Sequence, residues 1–388
     1  MTQPDAASAQ ARLTALTVRV FDSVEAAAPL WRRLEQSAVF TPYQSFDWVS
    51  HWLSAQPEAS EIAIIVVLDG EAPVALLPLA LRRTLGLRRA SLIGTAIGNS
   101  DWLMMTPAMA EVLGGGRIAW LLAQVARAAG GVDILALHDQ PPGWRGLANP
   151  FLALPHQKGP DHFYFGALQA NGAFDRFDDK RLANLQRRRR KLAELLGPVE
   201  LRMATTPEEI DRVQAAFLEQ RALRFAQQGI ANVFAEPHFV RFMREAAIAG
   251  LRGMPPACAF HALYAGESIV ATSFGTFAAG HYSQYINATG AGEAAKFRLI
   301  GILMHELFAD YARRGATSID MGLGDFDYKT DWTMAQTAYD SVIPLSPLGR
   351  LAAPLQLGLR AARRAIKQNQ QLFGLYKRLR SRLRGSQA

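Results

Sequence analysis

VLDGEAPVA, residues 67–75, and LYAGESIVA, residues 263–271, are two versions of one pattern. In each, an apolar run meets a short turn, Asp69-Gly70-Glu71 or Ala265-Gly266-Glu267, and a second apolar run follows. Apolar runs joined through a glycine turn predict a β-hairpin at both places, over 62–81 and 259–277. A second match lies further along each half. ARAAGGVDIL, 126–135, resembles YARRGATSIDM, 311–321, where a helical pattern gives way to a buried strand. Two matches in the same order predict duplication of one α/β unit.

The flanking patterns fill in that unit. The first half reads as a strand over 16–21, a helix over 24–37 with Val24, Ala28, Trp31 and Leu34 at helical spacing, and a helix over 46–53. The hairpin, a helix over 117–129 and a strand over 132–137 follow. The second half reads as a strand over 199–203 and a helix opened by Thr206-Pro207-Glu208-Glu209, a cap, a first-turn proline and two acids. A helix over 237–249, the hairpin, a strand over 281–287, a helix over 299–314 and a strand over 317–321 complete it. The expected architecture is α/β with mixed sheets: a polar disordered lead-in over 1–14, one unit over 15–172 and a second, catalytic unit over 198–345. A basic amphipathic linker helix over 173–197 carries Leu182, Leu185, Leu192 and Leu196, and a basic helical tail runs over 346–388.

Composition narrows the function classes. The one cysteine, Cys258, between Ala257 and Ala259, reads as a small buried hydrophobe and rules out an internal disulfide or a multi-cysteine zinc site. No metal is expected. The start of the chain has no signal-peptide pattern, and no apolar run is long enough to span a bilayer, so a cytoplasmic location is expected. The net charge of +8 is concentrated at one end. No acidic residue follows Asp340, whereas ten Lys and Arg do, which leaves −2 on residues 1–340. The high pI therefore belongs to the tail, and nucleic acid is not the partner it predicts for the body. Apolar residues of the tail at helical spacing (Leu355, Leu359, Ala362, Ile366) beside basic ones predict an anionic membrane surface as a partner of 351–388, at the inner face of the membrane. Packing of the tail on the body is the competing expectation.

The order of elements, with TPYQSFDW at 41–48, RLANLQRRRRKL at 181–192 and DMGLGDFDYKTDW at 320–332, resembles the acetyltransferase family named after the cellulose-biosynthesis protein CelD. That family lies in the GNAT superfamily and is similar to the paired-unit FemABX transferases. The resemblance covers residues 15–340. It implies tandem GNAT-like units, acetyl-CoA or another acyl-CoA as co-substrate, and direct transfer to an amine or hydroxyl of a carbohydrate or envelope precursor. It also implies that the co-substrate wedges between the strands over 282–287 and 317–321. Tyr285, Ile286 and Asn287 would lie on one side, and Lys296, Arg298 and Gly301 at the start of the next helix, whose amide donors suit a pyrophosphate. The usual glycine-rich superfamily loop is absent. Two rival expectations accompany this one: a FemABX-like transferase that takes aminoacyl-tRNA, and a non-enzymatic accessory of a membrane polysaccharide machine.

Asp320-Met-Gly-Leu-Gly-Asp325-Phe-Asp327-Tyr328-Lys329 follows a buried strand, where open α/β sheets place ligands. Acyl transfer to an amine needs a base for the ammonium proton and an acid for the leaving thiolate. Asp325 or Asp327 suits the base, Tyr328 the acid, and Lys329 an anionic substrate or a salt bridge. Acceptor contacts are expected from Arg221, His281 and Tyr282, and from Gln44, Asp47 and Trp48 in the first half, where helix capping by Ser45 or Asp47 is an equal reading.

Overall fold

The computed structural model describes residues 6–57, 61–95, 97–169, 178–228 and 232–368. The first half contains α1 (Ala6–Ala15), β1 (Thr17–Phe21), α2 (Val24–Glu35), α3 (Phe46–Ser54), β2 (Glu61–Asp69), β3 (Ala72–Thr84) and β4 (Leu87–Leu92). It continues with β5 (Met104–Met105), α4 (Pro107–Leu113), α5 (Ile118–Ala128), β6 (Ile134–Gln140), β7 (Gly143–Trp144), β8 (Leu147–Ala148) and β9 (Gln157–Ala167). The second half contains α6 (Asp179–Leu196), β10 (Val199–Met203), α7 (Pro207–Gln228), α8 (Pro237–Gly250), β11 (Cys258–Ala265), β12 (Ser268–Ala278) and β13 (His281–Thr289). Then come α9 (Leu299–Arg313), β14 (Ser318–Leu323), α10 (Asp327–Thr330), β15 (Gln336–Pro344) and α11 (Pro347–Gln368).

The two hairpins agree residue by residue. Asp69 pairs with Ala72 and Ala265 with Ser268, so both turns hold Gly-Glu, and Gly70 and Gly266 both take positive φ. Each hairpin also has a register shift at the same place, between Val67 and Leu68 and between Leu263 and Tyr264. A shared irregularity is hard to reach by chance, because a bulge re-aims every side chain beyond it. Beyond the hairpins the topology repeats. β1 and β2 pair antiparallel, as do β10 and β11, while β4 and β6 run parallel, as do β13 and β14.

Among the described residues, one compact unit takes 6–53, 61–95, 97–162 and 337–368, and the other takes 54–57, 163–169, 178–228 and 232–336. These bounds correct the expected ones. β15 was assigned to the second unit at 198–345, yet it pairs antiparallel with β6 in the first. The end of β9 was assigned to the first unit, yet Phe163 to Ala167 pair antiparallel with β14 in the second. Each parallel pair thus gains its outer strand from the opposite half of the chain. Helix α6 does not link the units but packs within the second one, on α9, β10 and β11, with Leu185 and Leu192 buried. The lead-in is also corrected: residues 6–15 form α1, with Ala9 and Leu13, one helical turn apart, buried. An alanine-rich segment needs few large apolar residues to form a helix, so its polar composition concealed it.

Local rules hold where they are strongest. Ser23 Oγ accepts the Ala26 N–H at 3.2 Å and caps α2, and Thr206 Oγ1 does the same for Glu209 at 3.2 Å in α7. The second unit's core forms where α9 lies on β12 and β13, around Leu303, Leu307, Phe308, Tyr311 and Tyr282. Tyr282 and Tyr311 stack with ring centroids 3.6 Å apart, and such a pair adds about 1 kcal/mol to the burial of its rings. Cys258 is buried in β11. In the first unit, α11 docks through Ala353 onto Ile134, Ala136 and Val342, while Leu351, Leu355 and Leu359 are 80%, 70% and 59% exposed. Among the described residues no helix is long and apolar enough to cross a membrane, and no group of three or more His, Cys, Asp or Glu is placed to hold a metal ion. The tail beyond 368 lies outside the described residues.

Candidate active site

The site begins where two parallel strands part. β13 and β14 pair over His281 to Ser283 and Ser318 to Asp320, and the ladder between them ends there. Along this paired stretch, His281 Nε2 lies 2.9 Å from Asp320 Oδ2 and His281 Nδ1 2.8 Å from Ser318 Oγ. Asp320 Oδ1 accepts the Gly322 N–H at 2.7 Å. Gly322 and Gly324 adopt φ of 69° and 96°, which bend the chain away from β13 at positions where a side chain would be strained. A cavity of ≈ 100 Å³ follows in the opening, lined by Arg221, Tyr285, Asn287, Leu323, Tyr328 and Lys329 among others. A larger cavity of ≈ 690 Å³ adjoins the start of α9, lined by Arg181, Arg188, Arg298, Gly301, Asp327 and Tyr328 among others. Tyr328 lines both.

The groups around Tyr328 set its chemistry. Its hydroxyl accepts from Asn287 Nδ2 at 3.4 Å. Burial raises the phenol above its ordinary pKa, against the Asn287 hydrogen bond and the charges of Arg224 and Arg221. Tyr285 is raised by burial as well, with Arg221 opposing. Both phenols therefore stay protonated at neutral pH. Arg221 is lowered to about 10, first by burial and then by Arg224. Lys329 is buried and its Nζ donates to the carbonyls of Gly322 at 3.1 Å and Leu323 at 2.8 Å, so it holds the loop after β14 in shape. Asp325 is exposed and its Oδ1 accepts from Tyr164 Oη at 3.0 Å. Asp327 is exposed at the head of the single turn α10.

The start of α9 carries the features suited to an anion. Arg298 caps it in the left-handed region, φ 54° and ψ 56°, and Gly301 has open space where a Cβ would stand, with Leu185 Cδ1 at 4.0 Å the nearest atom. Lys296 is exposed in the short helix before it and does not line either cavity described above. Arg188, from the basic run on α6, reaches the larger cavity, whereas Arg189 is 3.0 Å from Glu306.

Of the expected site residues, the structure brings Arg221, Tyr285, Ile286, Asn287, Tyr328 and Lys329 to one cavity, and Arg298, Gly301, Asp327 and Tyr328 to the other. His281 and Tyr282, expected at the acceptor, are instead 1% and 0% exposed and lie within the sheet and core. Gln44, Asp47 and Trp48 belong to the first unit. There Gln44 Nε2 donates to the Ser100 carbonyl at 2.7 Å, Asp47 accepts from Arg32 at 3.0 Å, and Trp48 meets the edge of Tyr43. The same helix start carries the capping: Ser45 Oγ accepts the Trp48 N–H at 3.4 Å. Arg224, Gln284, Phe326, Asn184 and Trp332 also line the cavities. Arg224 had a signal, since it stands three residues after Arg221 on one helix.

The first unit's own parallel pair is followed by a buried acid. β4 and β6 pair over Arg89 to Ser91 and Ile134 to Ala136, and past that point Asp101 bridges the gap. Its N–H donates to the His138 carbonyl at 3.1 Å, and its carboxylate accepts from the His138 N–H at 2.7 Å and the Thr95 hydroxyl at 3.1 Å. Burial raises Asp101 to about 7 and keeps this plug largely uncharged in mild acid.

Residues 179–330 match the family model described as an acetyltransferase (GNAT) domain. FemX, in its crystal structure, is similar over 86% of this chain and 99% of its own, with a TM-score of 0.59 and 10% identity. A conserved protein of unknown function from Bacteroides thetaiotaomicron is similar over 84% of this chain and 100% of its own, with a TM-score of 0.55 and 10% identity. No curated protein sequence matches the chain. The fold is therefore that of GNAT proteins, and the matched residues supply the whole lining of the smaller cavity and all but Asp331 and Trp332 of the larger.

Proposed function

We propose that this chain, whose residues 179–330 are a GNAT-type domain, is an acyltransferase that moves an acyl group from acetyl-CoA or another acyl-CoA to an amine or hydroxyl. The observation that carries the reading is the parting of β13 and β14 beside the start of α9, with Tyr328 lining the cavities at both places. The residues present fit the co-substrate. Arg298, Arg188 and the first turn of α9 suit a pyrophosphate, and the larger cavity adjoins all three. A bound acyl-CoA would supply the thioester carbonyl that the acceptor attacks. The chain's own groups supply proton transfer and position. Tyr328, kept protonated by burial, donates to the thiolate sulfur as the C–S bond breaks. Asp325 or Asp327, both open to water, takes the proton that the acceptor loses, directly or through water. Asn287 orients the Tyr328 hydroxyl, and Lys329 fixes the loop that carries it.

The acceptor we favour is a carbohydrate or envelope precursor, as the CelD-like motifs TPYQSFDW and DMGLGDFDYKTDW suggest. An anionic membrane surface is the partner we assign to 351–388. Leu348, Leu351, Leu355 and Leu359 leave an exposed apolar stripe on α11, and the same segment holds Arg350, Arg363 and Arg364 with no acid. Acetyl-CoA binding, read as a thermal shift, tests the donor. A rise in Tm with acetyl-CoA is expected. No rise, together with a response to charged tRNA, would replace this reading with the aminoacyl-tRNA one.

A further inference from the structure

Arg221 and Arg224 project from α7 into the cavity between the parted strands, and neither has an acidic partner among the described residues. Arg221 is only 9% exposed. One of its Nη atoms donates to the Asn287 carbonyl at 3.3 Å, its guanidinium carbon lies 4.4 Å from the centroid of the Phe225 ring and 5.0 Å from that of Phe234, and its Nε is buried with no hydrogen-bond partner. Arg224 stands one helical turn further on and faces Phe326 at 5.8 Å. The other cation that lines the same cavity, Lys329, donates to two backbone carbonyls. Two guanidinium groups are thus held close together, one of them desolvated, with aromatic rings and carbonyls around them but no carboxylate.

This arrangement is unfavourable in the free protein. For a buried cation without a counter-ion, one carbonyl and two ring faces return only part of the lost hydration, and a second cation beside it adds repulsion. The lowered Arg221 value reflects both effects. A bound oxyanion removes them together, because a guanidinium fork matches carboxylate and phosphate geometry. The cavity's ≈ 100 Å³ suits one such group, and Tyr285, Gln284 and Asn287 line the rest of it.

We propose that the cavity between β13 and β14 is an oxyanion-binding site in which Arg221 and Arg224 hold a carboxylate or phosphate borne by one of the two reacting molecules. The inference rests on the acyl-transfer reading only in calling that molecule a reactant; the anion site itself stands on the paired arginines. Its consequence is selectivity, since a neutral sugar or alcohol would leave the two cations uncompensated.

The test uses the full chain with succinate and inorganic phosphate as probes, followed by thermal shift at constant ionic strength. Both probes should raise the Tm of the unaltered protein. Arg221→Met and Arg224→Gln should each weaken the response at least tenfold in apparent Kd, while Arg187→Gln, an exposed charge on α6, should not. Arg221→Met should also raise the Tm in anion-free buffer, since it removes the uncompensated buried charge; Arg224→Gln, at a half-buried position, gives the same binding readout if that variant fails to fold. Acetyl-CoA and succinyl-CoA then locate the anion. Loss of succinyl-CoA affinity in Arg221→Met with acetyl-CoA unchanged puts it on the acyl chain, and equal retention of both puts it on the acceptor. Undiminished succinate and phosphate responses in the foldable arginine variants would overturn the site. A protein that ignores acetyl-CoA yet shows an arginine-dependent anion response would overturn the donor reading alone.

Discussion

His281, at the first rung of the parallel pair, reaches Asp320, at its last rung before the strands separate, side chain to side chain, Nε2 to Oδ2 at 2.9 Å. Both are buried, and Asp320 also holds the Gly322 N–H where the chain turns outward. The pair therefore pins the point from which the cavity opens. Asp320→Ala strands two buried partners and should cost about 3 kcal/mol of stability, measured by denaturant unfolding. Asp320→Asn keeps one acceptor oxygen and should cost less; equal losses would show that the two hydrogen bonds do not set the stability here.

Tyr328→Phe removes the hydroxyl and leaves the ring that lines both cavities. Turnover from acetyl-CoA should fall about 100-fold, in line with loss of a general acid, while the Tm and the acetyl-CoA shift stay as they were. An unchanged rate would remove Tyr328 from the chemistry.

Arg298 sits at φ 54°, a conformation that glycine adopts without strain. Arg298→Gly should therefore gain up to about 1 kcal/mol in stability while weakening acetyl-CoA binding. The two readouts moving in opposite directions separate a cap that serves a ligand from one that serves the fold. If affinity holds, the pyrophosphate lies elsewhere.

His261 lies on β11 with both ring nitrogens buried and unpartnered, and burial lowers it to about 4. The folded protein keeps it neutral where the unfolded chain, near 6.5, binds a proton. The unfolded state thus holds more protons between about pH 4 and pH 6.5, and stability rises with pH across that window and is flat above it. The contribution lost on acidification is about 3 kcal/mol by linkage. His261→Leu should flatten the part of the profile between those limits; a variant as acid-sensitive as the parent would assign the slope to other groups.

The exposed leucines of α11 give a further test. Leu351→Glu with Leu355→Glu, or deletion of 351–388, should abolish sedimentation with vesicles of phosphatidylglycerol, and added salt should weaken the binding of the unaltered chain. Equal sedimentation before and after deletion would refute the contact.

The repeated hairpin was legible from nine residues because turn chemistry is local. Gly-Glu between apolar runs specifies the turn, and the flanking pattern specifies which faces are buried. The segment from Asp320 to Lys329 was legible for a similar reason, since two glycines and a cluster of polar side chains after an apolar strand mark a place where the chain leaves the sheet. The same stretch did not reveal that Lys329 would spend its charge on two carbonyls, nor did the strand before it reveal that His281 and Tyr282 would be buried.

Sequence by itself determined the duplicated α/β unit, the helix starts and the glycine-rich exit from β14 where the candidate site lies, all set by contacts between residues close along the chain. The tertiary structure alone decided that β15 pairs with β6 and β9 with β14, that Asp101 holds His138 and Thr95 past the end of the β4–β6 ladder, and that Arg221 and Arg224 share a cavity lined by no acid. Strand partners, burial and charge compensation depend on groups brought together from distant parts of the chain, and an alternating apolar pattern marks a strand without naming the neighbour that will hold it.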